Sequence, residues 1–508
     1  MSRPSFDLRT RPWAPVRWRK PEDGAASSAM PRADRLGLED LLIHAHEIEA
    51  LLFGPPPALS GLLRLLYALT ARVTGLDEAE DDDDWHDRRI EILENGIDAG
   101  RVREYFDRFP ERFDLFSKRP FLQDPRLAEE SPKRPGVNKL IIGRPAGNNA
   151  VWFGHHWDDS PIPVDSADAF AHLLIWLYYG PSGRCATRTH GGESKADVSA
   201  GPLRSSLSYH PEGRSLLETL LAGLTLPDED VSSTDDLCPW EEDELPDPLA
   251  LPPSYSGPCS QLTGGWQHAL LLFPDDTGDH VTDACITWAR RHKAPSTDDP
   301  YVIHQVSKQG NVYARPADAG RALWRDLDAL LLLDRTGSTQ VKRPSVFEHT
   351  DALGLFHIHA LGFEQDGKTK DVQFVSSRTP QPIRQIRDDD PNTARAIGDL
   401  RAAGEMYGQR LEYAVKSAWA TALDKKVGSC AWLEEAAALY WPNAEDLFWK
   451  RLAAEDFTNG WRDFLRLAQE TFSIVTDGYV RGPRAARAIE RARLELYGGR
   501  RKKSGPST

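Results

Sequence analysis

Beyond Asp388-Asp389-Asp390-Pro391-Asn392, apolar residues return every three or four positions almost to the end of the chain. That spacing gives a helix one buried stripe, and a strand period of two does not produce it. Ala, Leu and aromatic residues recur this way over Thr393–Leu423, Cys430–Tyr440, Ala444–Ala454, Trp461–Val475 and Pro483–Tyr497. Successive amphipathic helices on short connections bury their stripes against each other. Residues 388–508 are therefore expected to form an antiparallel helical bundle.

Residues 1–387 carry a mixed pattern. Leu38–Thr74 reads as two helices in a hairpin, broken at Pro55-Pro56-Pro57. Arg88–Phe106, Ala167–Tyr179, Ser215–Leu226 and Arg321–Leu333 also read as helical. Trp266–Phe273, Tyr301–Arg315 and Phe356–Phe363 are strand-like. Residues 228–258 hold six prolines and many acids. They are expected to form a long irregular connection anchored by Pro239-Trp240-Glu241. The predicted fold class is α+β, with a large N-terminal domain (1–387) of helices and short strands ahead of the bundle (388–508).

The composition narrows the setting. No run of 18 apolar residues occurs, so no membrane span is expected. No apolar leader opens the chain, so export is not expected. Five scattered cysteines form no C-x-x-C pair, which suits a reducing cytoplasm and no zinc ribbon. The net charge of −15 is awkward for a nucleic-acid partner. Much of it is local, however: residues 77–87 alone hold eight acids. Basic segments lie elsewhere, at Arg9–Lys20, Lys133–Arg144, Arg184–Arg188, Lys368–Lys370 and Arg481–Lys503. The pattern predicts confined basic surfaces on one part of a larger assembly.

The stretch Gly143-Arg144-Pro145-Ala146-Gly147-Asn148-Asn149-Ala150-Val151-Trp152-Phe153-Gly154-His155-His156-Trp157-Asp158 combines permissive glycines, two amides, three aromatics and two histidines. The basic run Lys133, Arg134, Lys139 and Arg144 leads into it. Cations neutralise phosphate, amides read base edges, and aromatic faces stack on or wedge between bases. A surface loop whose aromatics tuck into the core has the same composition.

Several segments, in order, resemble the CasA family, the large subunit of the type I-E CRISPR surveillance complex Cascade. They are Phe6–Trp18, Leu41–Ile48, Arg112–Phe116 with Arg119–Gln123, Arg144–Ala150, Gly201-Pro202-Leu203, Leu216–Leu221 and Arg321–Leu327. Together they spread over about two thirds of the chain, whose 508 residues are about three domains' worth by the length prior. The resemblance implies a non-catalytic subunit without metal or cofactor. It would recognise a protospacer-adjacent motif in double-stranded DNA and help open the duplex for R-loop formation. Its partners would be the other Cascade subunits, the CRISPR guide RNA and a recruited helicase-nuclease, in antiviral defence.

The resemblance also implies three DNA-facing elements. A motif-reading loop would place Asn148, Asn149, Trp152 and Phe153 at the duplex. A glycine loop would use Gly180, Ser182, Gly183 and Arg184, although Pro181 removes one backbone donor. A hairpin wedge would use Gln365, Asp366, Gly367, Lys368 and Lys370. Asp366-Gly367 is a strong tight-turn pair, and Gln365 and Lys368 are expected to project from its tip. In the family the wedge glutamine follows the acid; here it precedes it. The wedge is therefore either Gln365 or the turn backbone with Lys368. A basic finger is implied near 275–281, but Asp275, Asp276, Asp279 and His280 stand there, so that contact is not carried over.

Two other classes remain. A metal-dependent hydrolase could use His44 with His46 and His357 with His359, the second pair sharing one strand face. No H-E-x-x-H, P-loop or G-x-S-x-G motif accompanies them. A scaffold that touches only proteins is the third reading.

Overall fold

A computed structural model describes residues 3–20, 32–147, 154–227, 232–255, 257–293, 299–307, 309–331, 341–350, 354–366, 370–384 and 391–498. The fold is α+β, and the chain divides into two units. The first takes Met1–Ala319, Gly337–Arg378 and Pro382–Arg384; the second takes Gly320–Thr336, Thr379–Gln381 and Gln385–Thr508.

The first unit is organised by two apolar helices, Pro56–Thr74 and Ser166–Tyr179, both buried along almost their whole length. Gly61 lets them approach closely, because a Cβ there would sit 3.0 Å from the Tyr178 ring. A helix this buried must satisfy its few polar groups internally. Arg64, 1% exposed, donates to both Asp299 carboxylate oxygens (2.7 and 2.9 Å) and to Ser208. Arg72 donates to Glu241 and Asp77.

Two antiparallel sheets flank these helices. In one, Leu355–Asp366 pairs with Lys370–Arg378 on one side and with Leu207–Glu212 on the other. In the other, His268–Pro274 pairs with His280–Trp288. A separate two-stranded hairpin joins Gly183–His190 to Glu193–Val198. Residues 232–255 form the irregular connection, and Trp240 anchors it. Its Nε1 donates to the Tyr105 hydroxyl (2.8 Å), and its ring packs against both Phe113 and Phe121.

Local readings are corrected in several places. The helix Leu38–Ile43 is short, and a strand, Ile48–Leu51, stands where the first hairpin helix was expected to continue. Ile48 and Leu51 pair with the Val16–Trp18 strand, which decides the backbone against local helix periodicity. Arg88–Phe106 is two helices, Asp82–Asn95 and Ala99–Arg108. They part at Gly96, whose φ is 80°.

The second unit contains the helices Pro391–Ala422, Trp432–Ala453, Gly460–Asp477 and Pro483–Arg493. The two stretches expected at 430–454 are one helix that runs through Pro442. Trp324, from a segment well ahead of the bundle in sequence, is fully buried here. It stacks on Phe464 (interplanar 10°) and lies 5.1 Å from Phe448. Gly404 makes room for it: a Cβ there would be 2.7 Å from the indole. Arg325 reaches Glu405 through Nε (2.5 Å) and Nη2 (3.0 Å). Trp324→Ala is expected to destabilise this unit by about 3–5 kcal/mol, the scale of truncating a buried aromatic. Chemical denaturation followed by far-UV circular dichroism reads the loss. A change under about 1 kcal/mol would mean that Trp324 is not a core residue of the bundle.

Candidate nucleic-acid interface

The strand that enters the hairpin at 365 alternates Leu361, Phe363 and Gln365, all buried. Gln365 therefore faces inward. A bulge between Glu364 and Gln365 then shifts the pairing, so that Gln365 opposes Asp371 and Asp366 opposes Lys370. The expected projection of Gln365 from an exposed tip is corrected: the side chain is 6% exposed and fully engaged. Its Nε2 donates to the Asp371 carboxylate (2.8 Å) and to the Tyr179 carbonyl (3.3 Å). Its Oε1 accepts from the Ser205 backbone N–H (2.9 Å). Its carbonyl accepts from the Ser205 hydroxyl (3.1 Å).

Arg204 completes the network. Its Nη1 donates to Asp371 (2.6 Å) and to the same Tyr179 carbonyl (3.2 Å), and its Nη2 donates to the Lys370 carbonyl (3.0 Å). Tyr179 ends the buried helix Ser166–Tyr179, where the carbonyls lack intrahelical partners and the helix dipole favours a cation. Two of the expected elements, the 180–184 loop and the 365–370 hairpin, thus share one anchor. Sequence reading missed Arg204 and Asp371. The alternation from Leu361 to Gln365 was the available signal that this glutamine is internal.

Asp366 and Lys370 are exposed at the hairpin, 3.4 Å apart. Gly367 and Lys368 lie outside the described residues, as do Asn148, Asn149, Trp152 and Phe153.

The base of the 148–153 segment is described. Asp158 accepts from the Gly147 N–H (2.7 Å) and from Asn138 Nδ2 (3.2 Å), which ties the two sides together. Of the basic run leading in, Arg144 is half-buried, while Lys133, Arg134 and Lys139 are exposed, the last two lying over aromatic rings. Arg144 donates to the Ile162 carbonyl (2.9 Å), Arg134 lies 3.7 Å from the Phe273 ring centroid, and Lys139 lies 5.6 Å from that of Trp176. Trp157 is 68% exposed, so this loop does present an aromatic to solvent.

In the glycine loop the residues have different tasks. Gly180 is buried, and a Cβ there would lie 2.5 Å from His268 Cε1, so close packing requires the glycine. It is not an open backbone approach to a ligand. Gly183 is exposed with φ 135° and open space around it. Ser182 is half-buried. Arg184 is exposed and opposes Asp197, whose carboxylate is held by Arg291 at 3.2 Å. Arg184 forms no ion pair among the described residues. Arg188 is fully buried between Asp124 and Glu130 and cannot serve a surface.

The histidine pairs do not assemble a metal centre. His44 and His46 follow a helix end and are about half exposed, each 3.8 Å from Glu47. His359 meets Ser376 (2.9 Å) and Glu212 (3.4 Å). Among the described residues no group of three His, Cys, Asp or Glu side chains is placed to hold a metal ion.

Two buried neutral histidines brace the loops. His268 Nε2 donates to the Pro181 carbonyl (3.1 Å), and His172 Nδ1 accepts from the Ile142 N–H (3.2 Å). Burial pushes both pKa values from 6.5 down to about 4; Arg144 adds to the shift at His172, and the Pro181 carbonyl opposes it at His268. Both folded-state values lie below the unfolded one. Their contribution is therefore intact above pH 6.5 and lost as pH falls toward 4. The shift corresponds to about 3 kcal/mol per histidine at full loss. Denaturation at pH 6.5 and at about 4 is expected to show this fall, and His268→Gln is expected to make it shallower. An unchanged pH slope in that variant would contradict a neutral, buried His268.

The comparisons with known proteins agree over almost the whole chain. A family model described as CRISPR-associated protein Cse1 matches residues 7–493. A chain of a solved "CRISPR RNA-guided surveillance complex" is 40% identical at a TM-score of 0.86, covering 97% of this chain and 100% of that one. A chain of such a complex described as pre-nicking is 39% identical at 0.78, covering 99% and 100%. Thermus thermophilus CasA (Cse1) shares the fold at 21% identity and 0.73, covering 97% and 98%. The comparison with curated proteins gave no match. The chain belongs to the CRISPR-associated Cse1 family, for which CasA is the alternative name.

Proposed function

We propose that this chain is the DNA-recognition subunit of a type I-E CRISPR surveillance complex, reading a protospacer-adjacent motif and helping to open the duplex beside it. The observation that carries the reading is the common anchoring of the Gly180–Arg184 loop and the Asp366–Lys370 hairpin at the Tyr179 carbonyl. Two loops fixed to one support hold their spacing while duplex DNA is distorted against them. That is what opening a base pair requires.

Arg184 and Lys370 supply phosphate attraction from this surface. Gly183 allows the backbone to come close. Asn148, Asn149, Trp152 and Phe153 supply base-edge contacts and stacking from the third loop. Gln365, being internal, positions the hairpin and does not wedge. The wedging tip falls to Asp366, Gly367 and Lys368. Guide RNA held by neighbouring subunits then pairs with the target strand, so that protein and RNA divide the sequence reading. The chain performs no chemistry itself; a recruited helicase-nuclease acts on the opened DNA. No observation favours the hydrolase reading.

The test is a binding titration of motif-bearing duplex with the assembled complex at several salt concentrations. Arg184→Ala and Lys370→Ala are each expected to lower the salt slope by about one unit, independent of sequence. An unchanged slope in both would mean that this surface does not face DNA.

A further inference from the structure

The motif Arg112-Phe113-Asp114-Leu115-Phe116, with Arg119-Pro120-Phe121-Leu122-Gln123, is mostly explained by packing. Phe113 and Phe121 are core residues. Asp114 accepts from the Phe6 and Phe116 N–H groups. Gln123 bridges the Leu115 carbonyl and the Leu272 N–H. Arg112 has no such role. It forms no ion pair among the described residues, and its Nη1 is a buried donor without an acceptor. Arg119 gives its protons to backbone only, the carbonyls of Asp243 (2.7 Å), Pro239 (3.2 Å) and Glu244 (3.4 Å).

Both arginines border a cavity of about 130 Å³ that Arg290, Trp266 and Glu242 also line. The Trp266 indole N–H is a second buried donor with no acceptor. Arg290 forms no ion pair among the described residues, and its guanidinium lies 5.7 Å from the Tyr255 ring centroid. The other carboxylates here are engaged. Asp124 is held by Arg126 and Arg188, and Asp247 faces His190 at 3.4 Å. Of the carboxylates lining the cleft, Glu242 is left to face the three arginines, with Asp243 beyond the lining also attracting Arg119. Burial raises its pKa, with Arg119 and Arg290 opposing. Burial lowers the pKa of Arg119, and repulsion from Arg112 adds to it.

We propose that this cleft binds a tetrahedral oxyanion of the phosphate class. A buried N–H donor without a protein acceptor needs oxygen from water or from a ligand, and here two of them border one cleft that three arginines also line. Charge-assisted bonds from guanidinium groups to an oxyanion are the strong kind, and arginine's planar fork suits phosphate. A tetrahedral anion offers oxygens in several directions at once, which lets Arg112 and Trp266 be satisfied together with the excess positive charge. The space exceeds the roughly 30 Å³ share of one water molecule severalfold. The oxyanion comes either as free phosphate or as the phosphate of a nucleotide.

The experiment is thermal unfolding of the full chain in sodium phosphate and in sodium chloride at matched ionic strength. Phosphate stabilises most proteins by exclusion from their surfaces, so the readout is the difference between the native chain and Arg112→Gln. The native chain is expected to gain about 2 °C more than the variant, with Arg290→Gln falling between them. Calorimetric titrations with inorganic phosphate and with adenosine monophosphate separate the two sources, and heat of binding from either one supports the site. Equal phosphate shifts in the native chain and Arg112→Gln would overturn the proposal, as would no binding of either titrant. If Arg112→Gln does not fold, Arg290→Gln carries the comparison, and a full phosphate shift in that variant overturns it.

Discussion

One carbonyl oxygen, that of Tyr179 at the end of a buried helix, ties the hairpin beyond Gln365 and the Arg204 segment to the point where the 180–184 loop begins. The helix Ser166–Tyr179 cannot move without disturbing the core, because nearly every side chain on it is buried. Its terminal carbonyl needs donors, and Arg204 and Gln365 provide them. Asp371 then accepts from both donors and fixes them relative to each other. Core rigidity is transmitted in this way to a hairpin whose strand Lys370–Arg378 is largely exposed. Positioning on a rigid element is what a recognition loop needs, since a loose contact loses discrimination to entropy.

The same geometry bears on how a net charge of −15 fits the proposed nucleic-acid partner. Many of the arginines that look available in the sequence are used inside the fold. Arg64, Arg89 and Arg188 are almost fully buried, and Arg144 holds a backbone carbonyl. In the proposed reading, this surface offers DNA a small number of exposed cations near the two loops, Arg184 and Lys370. A few phosphate contacts suit one member of an assembly whose affinity is shared with other chains and with guide RNA.

Much of the fold was legible in the sequence because helical periodicity is local. The bundle helices and the buried helix before Gly180 follow directly from it. The errors arose where partners distant in sequence decide the backbone. Ile48–Leu51 is a strand because Val16–Trp18 lies beside it, and Trp324 belongs to the bundle because Gly404 leaves room for it. At the interface, residue type showed which loops matter but not which way their side chains turn. Gln365 looked like a wedge beside a turn, yet Ser205 and the Tyr179 carbonyl, 160 and more residues away, bind it internally. Gly180 looked like an opening for DNA, yet His268 fills the space over it.

The central claim is that the glycine loop and the hairpin form one mechanical unit through the Tyr179 carbonyl. Hydrogen–deuterium exchange of the full-length Gln365→Ala variant tests this most directly. The account predicts faster exchange at both places, in peptides covering Lys370–Arg378 and in those covering 180–184 and 201–206, while the buried helix Pro56–Thr74 stays protected. Acceleration confined to the hairpin, with 180–184 and 201–206 unchanged, would contradict it.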